Sequence, residues 1–282
     1  MLRRRNMALL AGPSVLLVGS FVLVPMLVTA VQSLRSDGQW SLGNFLVLGE
    51  TPYLPAILTT LWIAVSTTAV TMLLVVPACA FFAARGRVWS NAFLVVVAIS
   101  FTLSVLTRTL AWQVLLAFNG VVNDMLMALG LVADPIHLLY TPWAVLIAMV
   151  QVMLPYAAML IFTGMRRVDR SIVFAARTLG AGALHTFRHA YWPQIRGSVI
   201  MSVVVVFSIS AGTFVMPTVL GGPSNIMLGQ LMNSALVSDP VNGVGRASAM
   251  GVLLAGALIV ALLAGLQLMG GRKGVKGSVM GL

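Results

Sequence analysis

Six stretches of this chain, residues 8–34, 54–84, 92–118, 142–165, 197–220 and 247–269, are long and apolar enough to cross a lipid bilayer. A membrane helix needs about 20 mostly apolar residues to span the hydrocarbon. In lipid, every backbone N–H and C=O must find its partner inside the protein, which for uninterrupted runs of this length means helix. The runs therefore predict an all-α membrane protein of six transmembrane helices, organised as a single transmembrane domain over residues 1–282. Composition agrees, with 60% hydrophobic and 8% charged residues and a mean hydropathy of +1.02, far from the average of a soluble domain. Pro25, Pro77, Pro155 and Pro217 fall within or beside the runs, where a membrane helix accommodates them.

The first run competes with a signal-peptide reading, because Arg3, Arg4 and Arg5 precede it and Val28-Thr29-Ala30 has the small-residue pattern of a cleavage site. It exceeds the roughly 7 to 15 residues of a signal core, which favours a retained helix. The net charge of +11 does not point to nucleic acid, since the basic residues cluster at the ends of apolar runs and not along one face. Cytoplasmic loops retain Lys and Arg. One side of the six-helix scheme collects Arg3, Arg4, Arg5, Arg85, Arg87, Arg166, Arg167, Arg170, Arg177, Arg188, Arg196, Arg272, Lys273 and Lys276. The other holds Arg35 and Arg246 with Asp37, Glu50, Asp124, Asp134 and Asp239. The first side is expected to be cytoplasmic, with both termini on it and Asp169 as its one acidic residue.

Chemistry-bearing clusters are sparse. Cys79 stands alone, so neither a disulfide framework nor a Cys-based metal site can be built. His137, His185 and His189 lack metal-ligand spacing, and the carboxylates stand singly, which leaves no pair for acid–base catalysis. No G-x-x-x-x-G-K-[ST] phosphate loop occurs, because neither Lys273 nor Lys276 follows a glycine.

The longest cytoplasmic loop, 166–196, is patterned. Ile172, Val173, Ala176 and Leu179 recur at helical spacing before Gly180, and Leu184, Phe187 and Tyr191 continue an apolar stripe around Arg188 and His189. Two short amphipathic helices joined at Gly180 are expected. Their apolar faces need cover, either from a cytoplasmic protein partner or from membrane lipid.

The loop also has a register. Phe174-Ala175-Ala176 is followed by three residues, Gly180, nine residues, and Ala190-Tyr191-Trp192-Pro193. This resembles the cytoplasmic EAA loop of ABC importer permeases, patterned E-A-A, three residues, G, nine residues, I-x-L-P. Ala175, Ala176, Gly180 and Pro193 match; Phe174, Ala190 and Trp192 stand where Glu, Ile and Leu are usual. Further blocks resemble the spermidine/putrescine-type permeases: Arg108-Thr109-Leu110-Ala111-Trp112, Asn119-Gly120-Val121-Val122-Asn123, Gly212-Thr213-Phe214-Val215-Met216-Pro217 and Leu220-Gly221-Gly222. The resemblance implies a type I ABC importer permease fold in a bacterial inner membrane, passing a small polar, polyamine-like solute from a periplasmic solute-binding protein into the cytoplasm. It implies a second permease subunit, homologous or self, and cytoplasmic ATPase subunits that bind ATP and Mg²⁺, so that this chain holds no cofactor and is no enzyme. It makes Phe174, Ala175, Ala176, Leu179, Gly180, Phe187 and Pro193 the ATPase-coupling residues.

Candidate pathway residues are fewer. Arg108 is the strongly charged side chain well inside a predicted helix, which points either to a solute path or to snorkelling toward the outer surface. Ser208, Ser210, Gly212 and Thr213 with Phe214 mix small, polar and aromatic groups suited to a solute path or to helix packing; the resemblance places the path along this helix. Trp112 and Phe118 offer aromatic surface or interfacial anchors. Residues 226–237 form an amphipathic outer run that fits the binding protein or the membrane surface, and Ala247, Gly251 and Ala255 form a small-residue row for close helix approach. No carboxylate lies in a predicted membrane helix, which sits poorly with a cationic solute. An ion-gradient-driven secondary transporter is the alternative, but its usual intramembrane carboxylates or inverted repeat are not visible.

Overall fold

The computed structural model describes residues 4–36, 39–223, 225–239 and 242–269, with side chains from Leu17 to Leu268. Arg3, Asp37, Ser224 and the Gly-rich basic tail at 270–277 lie outside the described residues. In chain order the elements are α1 (Arg4–Ser33), a hairpin of β1 (Arg35–Ser36) and β2 (Gln39–Trp40), α2 (Gly43–Val47), α3 (Tyr53–Ala84), α4 (Arg87–Thr102), α5 (Val105–Leu115), α6 (Val121–Ala128), α7 (Pro142–Arg166), α8 (Arg170–Thr178), α9 (Ala183–Thr186), α10 (Trp192–Gly212), α11 (Val215–Leu220), α12 (Leu228–Ser238) and α13 (Gly243–Met269). Four helices, at Tyr53–Ala84, Pro142–Arg166, Ala183–Gly212 and Gly243–Leu268, are each long and apolar enough to cross a membrane.

Two of the expected helices are interrupted or extended. The run at 92–118 is not one helix: α4 and α5 meet at a bend of 92°. Leu103 and Ser104 are extended there, and the Ser104 hydroxyl caps α5 by accepting the Leu106 N–H at 3.3 Å. The fifth run begins earlier than expected and stops sooner. α9 passes through a π-helical turn at Phe187–Tyr191, in which the Trp192 N–H reaches the Phe187 carbonyl, straight into α10. The second amphipathic helix expected after Gly180 is therefore the leading end of one continuous helix, Ala183–Gly212, and not a separate element. At the other end Thr213 is extended, and α11 restarts after it.

Backbone contacts divide the chain into two compact units. The smaller contains α1, the hairpin, α2, α12 and the first half of α13. Its hairpin pairs Arg35 with Trp40 and Ser36 with Gln39. A helix leaves its last carbonyls without intrahelical partners, and buried Asn44 supplies two donors at the end of α1: its amide reaches the Ser33 carbonyl at 3.1 Å and the Arg35 carbonyl at 2.8 Å. Gly245 lets α13 pass close by, since a Cβ there would sit 2.7 Å from Asn44 Nδ2. Arg246 and Asp239 form an ion pair at 3.4 Å.

The larger unit is built around α7. Of its most apolar stretch 67% is buried, against 39% for α3, so α7 is the centre and α3 keeps an apolar face outward, as lipid requires. α10, α4, α5 and α11 pack on it. Ile161 and Phe162 of α7, Val206 of α10 and Leu220 of α11 are fully buried in the shared core. Between apolar helices in lipid, association rests on close packing, and Gly164 of α7 sits directly on Ser198 of α10: a Cβ at Gly164 would lie 2.5 Å from Ser198 Cβ.

Candidate coupling surface and membrane pathway

α8 begins at Asp169, which caps it. The Ser171 hydroxyl at 2.6 Å and the Ser171 N–H at 2.9 Å both donate to the carboxylate, and these bonds hold Asp169 below its ordinary carboxyl value even though it is exposed. Two further bonds fix this end of the helix. The Asp169 N–H donates to Gln194 Oε1 of α10 at 2.8 Å. Arg170 donates to the Ala83 carbonyl in the last turn of α3 at 3.1 Å. The start of α8 is thus tied to the ends of two long helices.

The other end is a glycine stop. Gly180 takes φ +86°, a left-handed conformation open to glycine at little cost. Its N–H donates to the Arg177 carbonyl at 3.0 Å and the Ala181 N–H to the Ala176 carbonyl at 3.1 Å, the paired bonds of a Schellman motif. Gly182 then starts α9, where Thr186 is buried and donates to the Ala181 carbonyl at 3.3 Å.

Between these fixed ends no residue of α8 is buried. Phe174 is 69% exposed, Leu179 88% and, across the joint, Leu184 80%. Apolar side chains gathered at such exposure mark a surface made for contact. A groove of about 500 Å³ runs beside them, lined by Val173, Phe174 and Arg177 of α8, Ala83 of α3, and Phe187 and Tyr191 of the π turn. Of the residues selected from sequence, Phe174 and Phe187 share this groove. Ala175, Ala176, Leu179, Gly180 and Pro193 do not line it: Leu179 and Gly180 form the tip of α8, and Pro193 stands in the first turn of α10. Arg170 and Gln194, which anchor α8, were not selected from sequence, because their partners lie far away along the chain.

The pathway candidates are arranged differently from expectation. Arg108 is not deep inside one helix but in the first turn of α5, at the elbow after α4. Its side chain is 7% exposed; Nη2 donates to the Leu103 carbonyl at 3.0 Å and to the Ser100 carbonyl. These are carbonyls that the end of α4 leaves open, so Arg108 ties the elbow together. Trp112, one turn on, donates through Nε1 to Gln151 of α7 at 3.5 Å. Ser210 is fully buried in α10, Thr213 ends that helix half-buried, and Phe214 is exposed before α11. Although α5 packs on α11, no hydrogen bond or ring contact among the described residues joins Arg108 or Trp112 to Ser210, Thr213 or Phe214. Gln151 was missed from sequence. The signal was present, since it is the lone amide side chain in the apolar run of α7. With Ser100 it contributes polar groups to an otherwise apolar groove of about 360 Å³ among α3, α4 and α7.

Comparison with known proteins follows the same lines. Residues 76–268 match the family model described as binding-protein-dependent transport system inner membrane component. The spermidine/putrescine transport system permease protein PotB of Escherichia coli (strain K12) is 27% identical over 219 residues, 75% of this chain and 80% of that protein. PotB of Haemophilus influenzae is 26% identical over 247 residues, 85% and 86% of the two chains. Among solved structures, a bacterial ABC transporter involved in import of the acidic polysaccharide alginate aligns with a TM-score of 0.74 at 16% identity, over 96% of this chain and 98% of that one. The alginate transporter in complex with its pentasaccharide-bound periplasmic protein gives 0.77 at 16% identity, over 97% of each chain. At that identity the likeness concerns the fold alone. With the family model covering most of its length, the chain belongs to the binding-protein-dependent transport system inner membrane components, the permease subunits of ABC importers.

Proposed function

We propose that this permease spans the inner membrane six times with both termini in the cytoplasm, and that α8 with the π turn is the surface on which a separate ATPase subunit docks. The span count adds α1, apolar over its described part from Leu17 to Ser33, and the bent α4–α5 pair to the four long apolar helices. The orientation rests on the Lys and Arg residues gathered on one side. The observation that carries the docking reading is the exposure of Phe174, Leu179 and Leu184 on a segment whose ends are hydrogen-bonded in place.

ATP and Mg²⁺ belong to the ATPase subunits. Closure of those subunits displaces α8, and the bonds from Asp169 and Arg170 pass the displacement to α10 and α3. Two permease subunits, homologous or identical, then exchange inward and outward openings around a solute delivered by a periplasmic binding protein. The proposed solute is small, polar and polyamine-like, following the curated relatives. The pathway residues Arg108, Trp112, Ser210, Thr213 and Phe214 bring hydroxyls, rings and one cation but no carboxylate, so selection for a cationic solute falls to the binding protein and the second permease subunit.

The test is co-purification of the ATPase subunit with the detergent-extracted permease, for the natural chain and for a deletion of residues 172–180. Loss of the ATPase on deletion is expected. Unchanged recovery would remove α8 as the docking element.

A further inference from the structure

We propose a binding site for the phosphate of an anionic phospholipid headgroup at the membrane–water boundary, in a cavity of about 360 Å³ lined by Arg85, Arg87, Arg166, Arg170 and Ser90. The inference goes beyond the docking surface and rests only on α3 and α7 crossing the bilayer.

The four arginines come from four places in the chain. Arg85 follows the last residue of α3, Arg87 opens α4, Arg166 ends α7 and Arg170 opens α8. Because α3 and α7 are apolar up to these residues, the cavity lies where their hydrocarbon-spanning stretches stop, at headgroup level. No carboxylate pairs with any of the four among the described residues, where the ion pair present joins Arg246 to Asp239. Four like charges around one cavity repel each other unless an anion sits among them. Guanidinium groups match a phosphate in pairs of parallel hydrogen bonds.

Part of the negative end that would repel an anion is already occupied. α3 ends at this cavity, and its last carbonyls carry partial negative charge. Two of them are taken: Ser90 donates to the Phe82 carbonyl at 2.9 Å and Arg170 to the Ala83 carbonyl at 3.1 Å. Arg85 lies 4.3 Å over the Phe81 ring, which restrains its side chain. Arg87 and Arg166 have no side-chain hydrogen bond or ion pair among the described residues and remain available as donors. The cavity is large against the roughly 30 Å³ that a water occupies in the liquid, so a phosphodiester fits with some of its hydration. Val88 and Trp89 beside it are exposed, one apolar and one aromatic, the residue types that meet acyl chains and headgroups at a bilayer interface. These flanking groups favour a lipid over a free phosphate ion. Arg170 belongs both to this cavity and to the anchor of α8, so a bound headgroup steadies the base of α8.

The test is native mass spectrometry of the full chain in mild detergent, titrated with phosphatidylglycerol or with phosphatidylcholine of equal chain length, with inorganic phosphate as competitor. Phosphatidylglycerol is expected to bind at least about tenfold more tightly than phosphatidylcholine, and R87Q combined with R166Q to weaken it about twenty-fivefold, from about fivefold per arginine. The single variant R87Q, milder for folding, is expected to weaken it about fivefold. Both variants should keep ATPase co-purification, which separates this proposal from the docking reading. Equal affinity for the two lipids, or unchanged affinity in both variants, would overturn it. Displacement of the lipid by millimolar inorganic phosphate would assign the cavity to free phosphate instead. Loss of the ATPase with lipid affinity unchanged would make the cluster a protein contact.

Discussion

Gly180 holds the joint of the proposed coupling segment through two properties, a φ of +86° and an N–H given to the Arg177 carbonyl. Proline has neither, because its ring fixes φ near about −65° and removes the donor. G180P is therefore expected to abolish uptake while the protein still inserts, read by transport assay alongside membrane-fraction blotting. Normal uptake would end the lever role of the segment. The glycine at this position was visible in sequence, while the Schellman bonds that use it were not. Asn44 is the reverse case. Nothing in its sequence context marks it, yet its amide serves two carbonyls at the end of α1 and is 2% exposed. N44A leaves those acceptors buried and unpaired, an expected loss of about 1–3 kcal/mol, measurable as a lowered thermal midpoint in detergent.

At the scale of elements, the α4–α5 elbow shows how a charged side chain near lipid acquires a structural role. A helix that ends within an apolar layer exposes carbonyls that cannot turn to water, and Arg108 answers those of Ser100 and Leu103. R108M keeps length and apolar bulk but removes the donors, with an expected cost of about 1–3 kcal/mol in a thermal-unfolding measurement. A fall in stability with unchanged affinity for solute supports the elbow role. Unchanged stability with altered apparent affinity would leave Arg108 a role in the solute path alone. The same logic separates α8 from α9: both carry apolar residues outward, but α9 is continuous with α10 through the π turn, while α8 is set off from it by the joint at Gly180 to Gly182.

For the whole molecule, the arrangement of charges makes a topological prediction. In a background with Cys79, which is fully buried, replaced by alanine, a membrane-impermeant maleimide should label E50C in intact spheroplasts and H185C only after permeabilisation. The opposite pattern would invert the proposed orientation and with it the face offered to the ATPase.

What the sequence determined by itself is what lipid as solvent enforces locally. Long apolar runs had to be helices, charged residues had to sit at their ends, and the spacing from Ala175 to Pro193 carried the family resemblance without any coordinates. What only the tertiary structure decided depends on partners distant in the chain. The break at Leu103 and Ser104 is invisible to hydropathy, because both halves are apolar and the carbonyls it frees are answered by a side chain beyond the bend. Whether Leu184 to Tyr191 formed a separate helix turned on backbone bonding at the π turn, which no apolar periodicity encodes. Trp112 met Gln151, and Arg170 met the end of α3, only once the helices had packed, since such bonds follow from the placement of helices in space and not from the residues beside them in sequence.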